Sequence, residues 1–577
     1  MENDNDQKSQ DEFPIHWLEG LIQKINGRNL SEIALSTGKT PSGHIHLGIM
    51  RELLVCDAIK RIFEEKGKIV HFRLFIDSLD AAKRFPGYIK EDYAKKNIGK
   101  PFALIPNPIN QNDKNYAQYF GEELESIFPL FGIGAKIVWT HELYKTKEMK
   151  DMIRIGLKKN EEVKRIVAKY LTASMSEEQK DIYLEQQKTW MGAMVICEKC
   201  QCTQKKQKDG TISPNRVLEY DQKSDSCYYQ CPACGYKGSV GIESGLVKLN
   251  WRLDWPAKWT IFKTTCEPAG KDHCTPGGSY DTGLDLCKNI YGYEGPIKLS
   301  YEWLRLGDRD MKTSKGIVFT PAKFLEMVDP KILRMLIFQT NPNKHISIRI
   351  EELEQYYNEY QRIERIFFGK EESTETEKKE VEFIYPLIQV DKVPKEFPAQ
   401  IPLKLVTVLA QLKSVLKEEI IFSKAKEYLI SNGNTSNLSI EEFRIIIKRA
   451  LNWIDEMQRI INTEKDPGKV KKLKQKTEIF TFVPEITQNI RKNLDQSQVD
   501  ALKSFLDHSK EMAAFTEENV KNVMMSIREK LNIKPMKIFQ AFYRIFLDAK
   551  KGPRLGPLMT MLDKSWIENR IKEAIQE

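Results

Sequence analysis

The stretch Thr37-Gly-Lys-Thr-Pro-Ser-Gly-His-Ile-His-Leu-Gly48 constrains the fold of this chain more than any other. It joins an apolar run, Ile33 to Leu35, to a segment that carries Leu47, Met50, Leu53, Leu54, Ala58 and Ile62 on one helical face. A strand feeding a helix through glycines and a proline leaves backbone N–H groups at the positive helix end, where phosphate can sit. Two histidines at the turn add polar contacts to such an anion, so the stretch reads as a nucleotide site. The helix runs to about Glu65 and stops at Gly67. Val70, Phe72, Leu74 and Ile76 then alternate through a second strand, Lys68 to Ile76. Strand, helix and strand make a first parallel crossover. Asp77 and Asp80 fall just past its carboxyl end, where they either meet a ligand or cap the next turn.

A chain of 577 residues is too long for one hydrophobic core and implies roughly three or four domains. With 41% hydrophobic and 30% charged residues and no apolar run long enough to cross a bilayer, it does not read as a membrane protein. The polar, acidic first dozen residues lack the basic start and apolar centre of a signal peptide, which places the protein in the cytoplasm. The net charge of +9 fits a nucleic-acid partner or a solvated basic surface equally well. The segment Phe85 to Tyr119 reads as a loop-dominated insertion, and Ala135 to Thr140 as another strand. Helices follow at Lys145 to Thr172 and Ser176 to Thr189; the first is basic and is either a solvated face or an RNA contact.

Ten cysteines without a secretory signal point to thiols or metal ligands in preference to disulfides. Cys197-Glu-Lys-Cys200 and Cys231-Pro-Ala-Cys234 can supply four thiolates to a tetrahedral zinc, which a small loop-rich insert with little core needs as a clip. Cys202 and Cys227 lie close by, so a redox pair or another combination of the six thiols also fits. Beyond Gly245 come Trp251-Arg-Leu-Asp-Trp-Pro-Ala-Lys-Trp259, Gly270-Lys-Asp-His273 and Gly277-Gly-Ser-Tyr-Asp281. Aromatic rings near a carboxylate suit a cationic ligand, and the same tryptophans would serve as core anchors. Leu299 to Leu304 reads as the last strand of the sheet. It runs into the basic loop Arg305 to Gly316, which is either an exposed turn or a mobile cover that neutralises a leaving pyrophosphate.

Together these pieces resemble the class I aminoacyl-tRNA synthetases and, within them, the class I lysyl-tRNA synthetases. Pro41-Ser-Gly-His-Ile-His-Leu-Gly48 resembles the HIGH signature, with His46, Leu47 and Gly48 on its first three positions and Ile49 on the fourth. Asp310-Met-Lys-Thr-Ser314, followed by Lys315-Gly316, resembles a degenerate KMSKS, in which Asp310 and Thr313 replace the two lysines and Lys312 and Lys315 supply the charge. Trp251 to Pro256, Glu267 to His273, Gly277 to Gly283 and Gly552-Pro-Arg-Leu-Gly-Pro557 are similar to the lysyl subgroup, and the likeness spans nearly the whole chain.

The resemblance implies an α/β fold: a Rossmann-type catalytic domain on a doubly wound parallel sheet, with a zinc-binding insertion, followed by an all-α anticodon-binding domain. The corresponding segments are an N-terminal tail and helix (1–30), the first half of the catalytic domain (31–190), the Cys-rich insertion (191–244), the second half (245–328) and the helical region (329–577). It implies ATP-dependent activation of L-lysine with Mg²⁺ and transfer to tRNA-Lys, without membrane attachment; the sequence does not show the oligomeric state, and a monomer is the simplest expectation. His44, His46, Lys312 and Lys315 would act on the phosphates. Pro41, Gly43, Gly48, Asp272, Met311, Thr313 and Ser314 would surround ATP, with Asp272 on the ribose. Gly38, Thr40, Trp251, Asp254, His273 and Tyr280 would shape the amino-acid pocket, and Cys197, Cys200, Cys231 and Cys234 would hold a structural zinc. Some relatives bind a metal after Ile105-Pro106; Asn107 to Phe120 contains no His or Cys, so no second metal is expected there. Asp310 and Thr313 leave open a tRNA-binding relative that has lost catalysis, and a synthetase of this fold for another amino acid is a further reading.

In the helical region, Ser439 and Glu442 have capping-box spacing before Phe443, Ile446, Ile447 and Leu451, another helix spans Ser497 to Lys510, and Pro535 can open a further one. Glu371 to Glu382, charged or Ser/Thr except for Val381, reads as a linker or exposed loop.

Overall fold

The computed structural model describes residues 14–109, 114–173, 175–308, 311, 319–434, 438–512 and 515–576. They form two compact units. The first holds the chain to Phe324 together with Pro330–Ile348 and Ser373–Val393, and the second holds Leu325–Asp329, Arg349–Glu372 and Pro394–Glu577.

The first unit is built on a five-stranded sheet in the order Ile297–Tyr301, Cys266–Gly270, Glu32–Lys39, Ile69–Ile76, Lys136–Trp139, with every pair parallel. Ile33 to Thr37 are buried without a break, as a central strand covered on both faces requires. It pairs with the next strand from Glu32↔Ile69 to Lys39↔Ile76, and on its other side Leu35 faces Cys266. The chain therefore winds one way through Ile69–Ile76 and Lys136–Trp139 and later returns on the opposite side. The carboxyl ends of Glu32–Lys39 and Cys266–Gly270 flank the point where the order reverses, which is where doubly wound sheets open a crevice.

The connecting helix Met50–Glu65 follows a short 3₁₀ turn, Leu47–Ile49, and ends before Gly67, whose φ of +74° explains the glycine. It is buried nearly all round its first turns, so Arg51 and Asp57 are carried inside with Leu53 and Leu54, and Glu52 is left half-buried at the cleft. The basic stretch after residue 145 forms two helices, Lys147–Lys158 and Asn160–Leu171, broken at Lys159. The insertion closes on itself through Ala193–Val195, which pairs antiparallel with Val247–Leu249. Between them stand a hairpin, Gln204–Lys206 with Ile212–Pro214, and a three-stranded sheet of Val217–Asp221, Ser226–Gln230 and Lys237–Gly241.

One expectation is corrected. Most of the segment read as a linker lies in a helix, Glu375–Ile388, capped by the Thr374 side chain. Its charged first turns suit a helix N-terminus, and Val381, Ile384, Tyr385 and Ile388 repeat at helical spacing to form its buried face.

The second unit is almost entirely helical. Its longest helix, Ile440–Thr463, opens with the Ser439/Glu442 capping box and buries Phe443, Ile447, Ala450, Trp453 and Met457. The Trp453 indole N–H donates to the Ile350 carbonyl at 2.7 Å. Asp495 caps Gln496–Ser509, and Pro535 opens Pro535–Leu547 at its first position. Among the described residues no helix is long and apolar enough to cross a membrane.

Candidate active site

A cleft of about 710 Å³ opens at the reversal point, lined by the ends of both central strands and by the signature turn. Gly38, Thr40, His46 and Gly48 reach it from the turn, Trp251, Asp254, Asp272 and His273 from the second half of the unit, and Met311 from the far rim.

His46 is the best-defined donor. Its Nδ1 accepts the backbone N–H of Gly48 at 3.1 Å, so the ring proton sits on Nε2. Burial, helped by the charge of Lys39, pushes the imidazole down to about 3, and it stays neutral throughout the physiological range. A neutral N–H donor is suited to a phosphate oxygen without a competing titration. Gly48 makes the arrangement possible: a Cβ there would lie 2.7 Å from His46 Cε1 and Nδ1. Gly43 has a φ of +153°, which lets the turn double back.

His44 is placed differently. Its Nδ1 lies 2.8 Å from Glu123, its ring packs against Tyr88 and Phe120, and it does not line the cleft. Pro41 and Gly43 are buried within the turn rather than at the cleft surface. Tyr280 is fully buried beneath the site, with its hydroxyl on the Glu267 carbonyl at 3.1 Å. Lys312, Thr313, Ser314 and Lys315 lie outside the described residues.

Several groups that shape the cleft carry no local sequence signal. The Glu267 carboxylate is saturated by three donors: the Trp255 and Trp259 indoles, at 2.8 Å each, and the Ser36 hydroxyl. Glu52 accepts from the Thr37 and Tyr301 hydroxyls, and among the described residues no cation stands within ion-pair distance of it, Lys39 acting from farther off. Burial, with the nearby Glu267 charge adding to it, pushes Glu52 up to about 8 against the opposing pull of Thr37 and Lys39. The only hint in the chain is that Glu52 falls among apolar neighbours at the start of a helix too apolar to be a surface one.

The other wall is a buried ionic cluster. Lys258 lies between Asp254, at 2.7 Å, and Asp77, at 2.6 Å, while Lys248 pairs with Asp80 at 2.6 Å. Tyr144 donates to the second oxygen of Asp254 at 2.5 Å. Burial opposes the charge on Lys258, but Asp254 and Asp77 outweigh it and hold its ammonium well above its ordinary range. Above them the Trp251 and Trp255 rings stack at 5.3 Å, with His273 5.4 Å from Trp251. Asp254, expected beside the amino acid, thus lines the cleft with its charge already engaged.

Away from the cleft, Cys197, Cys200, Cys231 and Cys234 bring their sulfurs within 4.8 Å of one another. The Cys197–Cys234 and Cys200–Cys231 separations are 3.7 and 3.6 Å. A tetrahedron of ~2.3 Å zinc–sulfur bonds has edges of about 3.8 Å, so these four thiols fit the ion. Cys202 bonds to backbone carbonyls instead, and Cys227 is buried in the small sheet.

The model of the family described as tRNA synthetases class I (K) matches residues 15–391, and that of an anticodon binding domain matches residues 453–575. The lysine–tRNA ligase of Methanocaldococcus jannaschii is 30% identical, over 96% of this chain and 99% of its own length. Those of Methanococcus maripaludis and Pyrococcus horikoshii are 29% and 28% identical over 96% and 97% of this chain, each matched over 99% of its own length. With the reversal-point cleft, the signature turn and the helical second unit, these matches establish that the chain belongs to the class I lysyl-tRNA synthetase family.

Proposed function

We propose that the protein is a lysine–tRNA ligase that activates L-lysine with ATP to lysyl-adenylate and transfers the lysyl group to the 3′-terminal adenosine of tRNA-Lys. The observation that carries this reading is Glu52, a half-buried carboxylate on the cleft wall that accepts two hydroxyls and, among the described residues, makes no close ion pair, Lys39 acting on it only from beyond ion-pair distance. An ε-ammonium has three donors and one charge; Glu52 and the Tyr301 oxygen supply acceptors and the counter-charge. An amino acid without that ammonium would leave the carboxylate unpaired, which is the kind of penalty that sustains strong discrimination.

The reaction needs no protein nucleophile. The lysine carboxylate attacks the α-phosphorus in line, so the chain's task is to hold the two substrates and stabilise developing charge. His46 donates its Nε2–H to a phosphate oxygen, Gly38 and Thr40 contact the amino acid, and Asp272 at the mouth binds the ribose. Lys312 and Lys315 neutralise the leaving pyrophosphate. Mg²⁺ would supply Lewis-acid stabilisation of the phosphates. Zinc on the four cysteines would be structural, because a site closed by four thiolates has no open position for chemistry. The second unit reads the anticodon of tRNA-Lys, and the setting is the cytoplasm.

Lysine-dependent ATP–pyrophosphate exchange, run with all twenty amino acids on zinc-loaded protein, tests the reading. Exchange with lysine alone is expected. Exchange with a different amino acid would reassign the substrate, and none at all would favour a tRNA-binding relative without catalysis, the reading that Asp310 and Thr313 motivate.

A further inference from the structure

Two neighbouring residues on one short strand bond to Asp80 and Tyr144, which stand behind the two walls of the cleft. Lys248 is the central residue of Val247–Leu249, the return strand of the four-cysteine insertion, and is only 6% exposed. Its ammonium meets Asp80 Oδ1 at 2.6 Å, and the other oxygen of Asp80 accepts the Thr40 hydroxyl at 2.8 Å. Thr40 belongs to the signature turn and lines the cleft. The adjacent Leu249 N–H donates to the Tyr144 hydroxyl at 3.2 Å, which in turn donates to Asp254.

We infer that Lys248 is a positioning residue for the amino-acid side of the cleft, acting on Thr40 through Asp80. The ammonium fixes which oxygen of Asp80 faces the turn, and that oxygen fixes the rotamer of Thr40, so that its methyl and hydroxyl present one arrangement to the ligand. Lys248 itself does not line the cleft. Because the strand that carries it is paired to Ala193–Val195 at the root of the insertion, the small cysteine-rich subdomain and the signature turn share one polar connection. Sequence alone would class Lys248 as one more lysine among many.

The inference rests on the lysine-activation reading, and its test separates the two. Lys248→Met and Thr40→Val are each expected to raise the exchange KM for lysine about tenfold, while KM for ATP stays within about twofold. The double variant is expected to stay near tenfold rather than about a hundredfold, since both changes cut the same chain of contacts. Multiplicative effects, or an equal rise in KM for ATP, would overturn the inference. If Lys248→Met does not fold because it strands the Asp80 charge, Lys248→Met/Asp80→Leu replaces it in the cycle, with the same expectation for Thr40→Val. Urea midpoints of the same four proteins read the coupling without substrate: non-additive midpoints support the relay and additive ones overturn it. A wild-type protein without lysine-dependent exchange would instead refute the functional reading alone.

Discussion

Lysine affinity should depend steeply on pH between 6 and 8, because the group that receives the ammonium is mostly protonated in the free protein. Burial pushes Glu52 up to about 8. At pH 7 only about one-tenth of the molecules then carry the carboxylate, and at pH 6 about one-hundredth. Lysine selects the ionised form, so its apparent affinity should rise about fifty-fold from pH 6 to pH 8 and level off above. Each binding event at pH 7 should release about 0.9 proton. The direction follows from the raised value: the proton must leave before the ion pair forms, so binding weakens as pH falls. His46, held down to about 3, does not titrate in this window. Titration calorimetry in two buffers of different ionisation enthalpy measures both quantities. In Glu52→Gln the slope should vanish. Affinity at the alkaline end should fall by about 3–4 kcal/mol, roughly two to three orders of magnitude, because the ammonium enters without its counter-charge. A wild-type affinity that is flat between pH 6 and 8, or a slope that survives in Glu52→Gln, would refute the assignment.

Gly48→Ala should lower lysine-dependent exchange about 10²-fold while leaving lysine affinity unchanged, because a Cβ 2.7 Å from the His46 ring must displace it. Exchange kinetics set beside lysine titration check the split. Elemental analysis should find about one zinc per chain, and a quadruple Cys→Ser variant should leave the insertion unfolded, as limited proteolysis would show; a metal-free, fully folded native protein would exclude the zinc. Arg334 is fully buried and donates to the Phe131 and Leu387 carbonyls and to Asp57. Arg334→Met should destabilise the first unit by about 2–3 kcal/mol, read as a lower urea midpoint, because two buried carbonyls lose their donor while Asp57 keeps its pair with Arg61.

The signature turn, the first crossover, the two Cys-x-x-Cys knuckles and the Ser439/Glu442 cap were legible because each is written in one short run of residues. Helical and strand periodicity, and the chemistry of a glycine or a cap, depend on neighbours a few positions away. The linker reading of Glu371 to Glu382 failed for a related reason. Its charged residues occupy the exposed turns of a helix whose buried face is set by the apolar spacing from Val381 to Ile388 that follows.

What sequence by itself determined, then, was the class of fold, the glycine-rich turn that joins its first strand to its first helix and the thiols available to a metal. Tertiary structure decided which side chains the cleft contains. It took His44 out of the lining, placed Tyr280 beneath the floor and engaged the charge of Asp254. It also brought in Glu52, Tyr301, Asp77 and Lys258, and set Lys248 behind Thr40. The physical reason is distance along the chain. The cleft exists only because Leu35 pairs with Cys266 across the reversal of the sheet, and no local periodicity encodes a contact between residues so far apart.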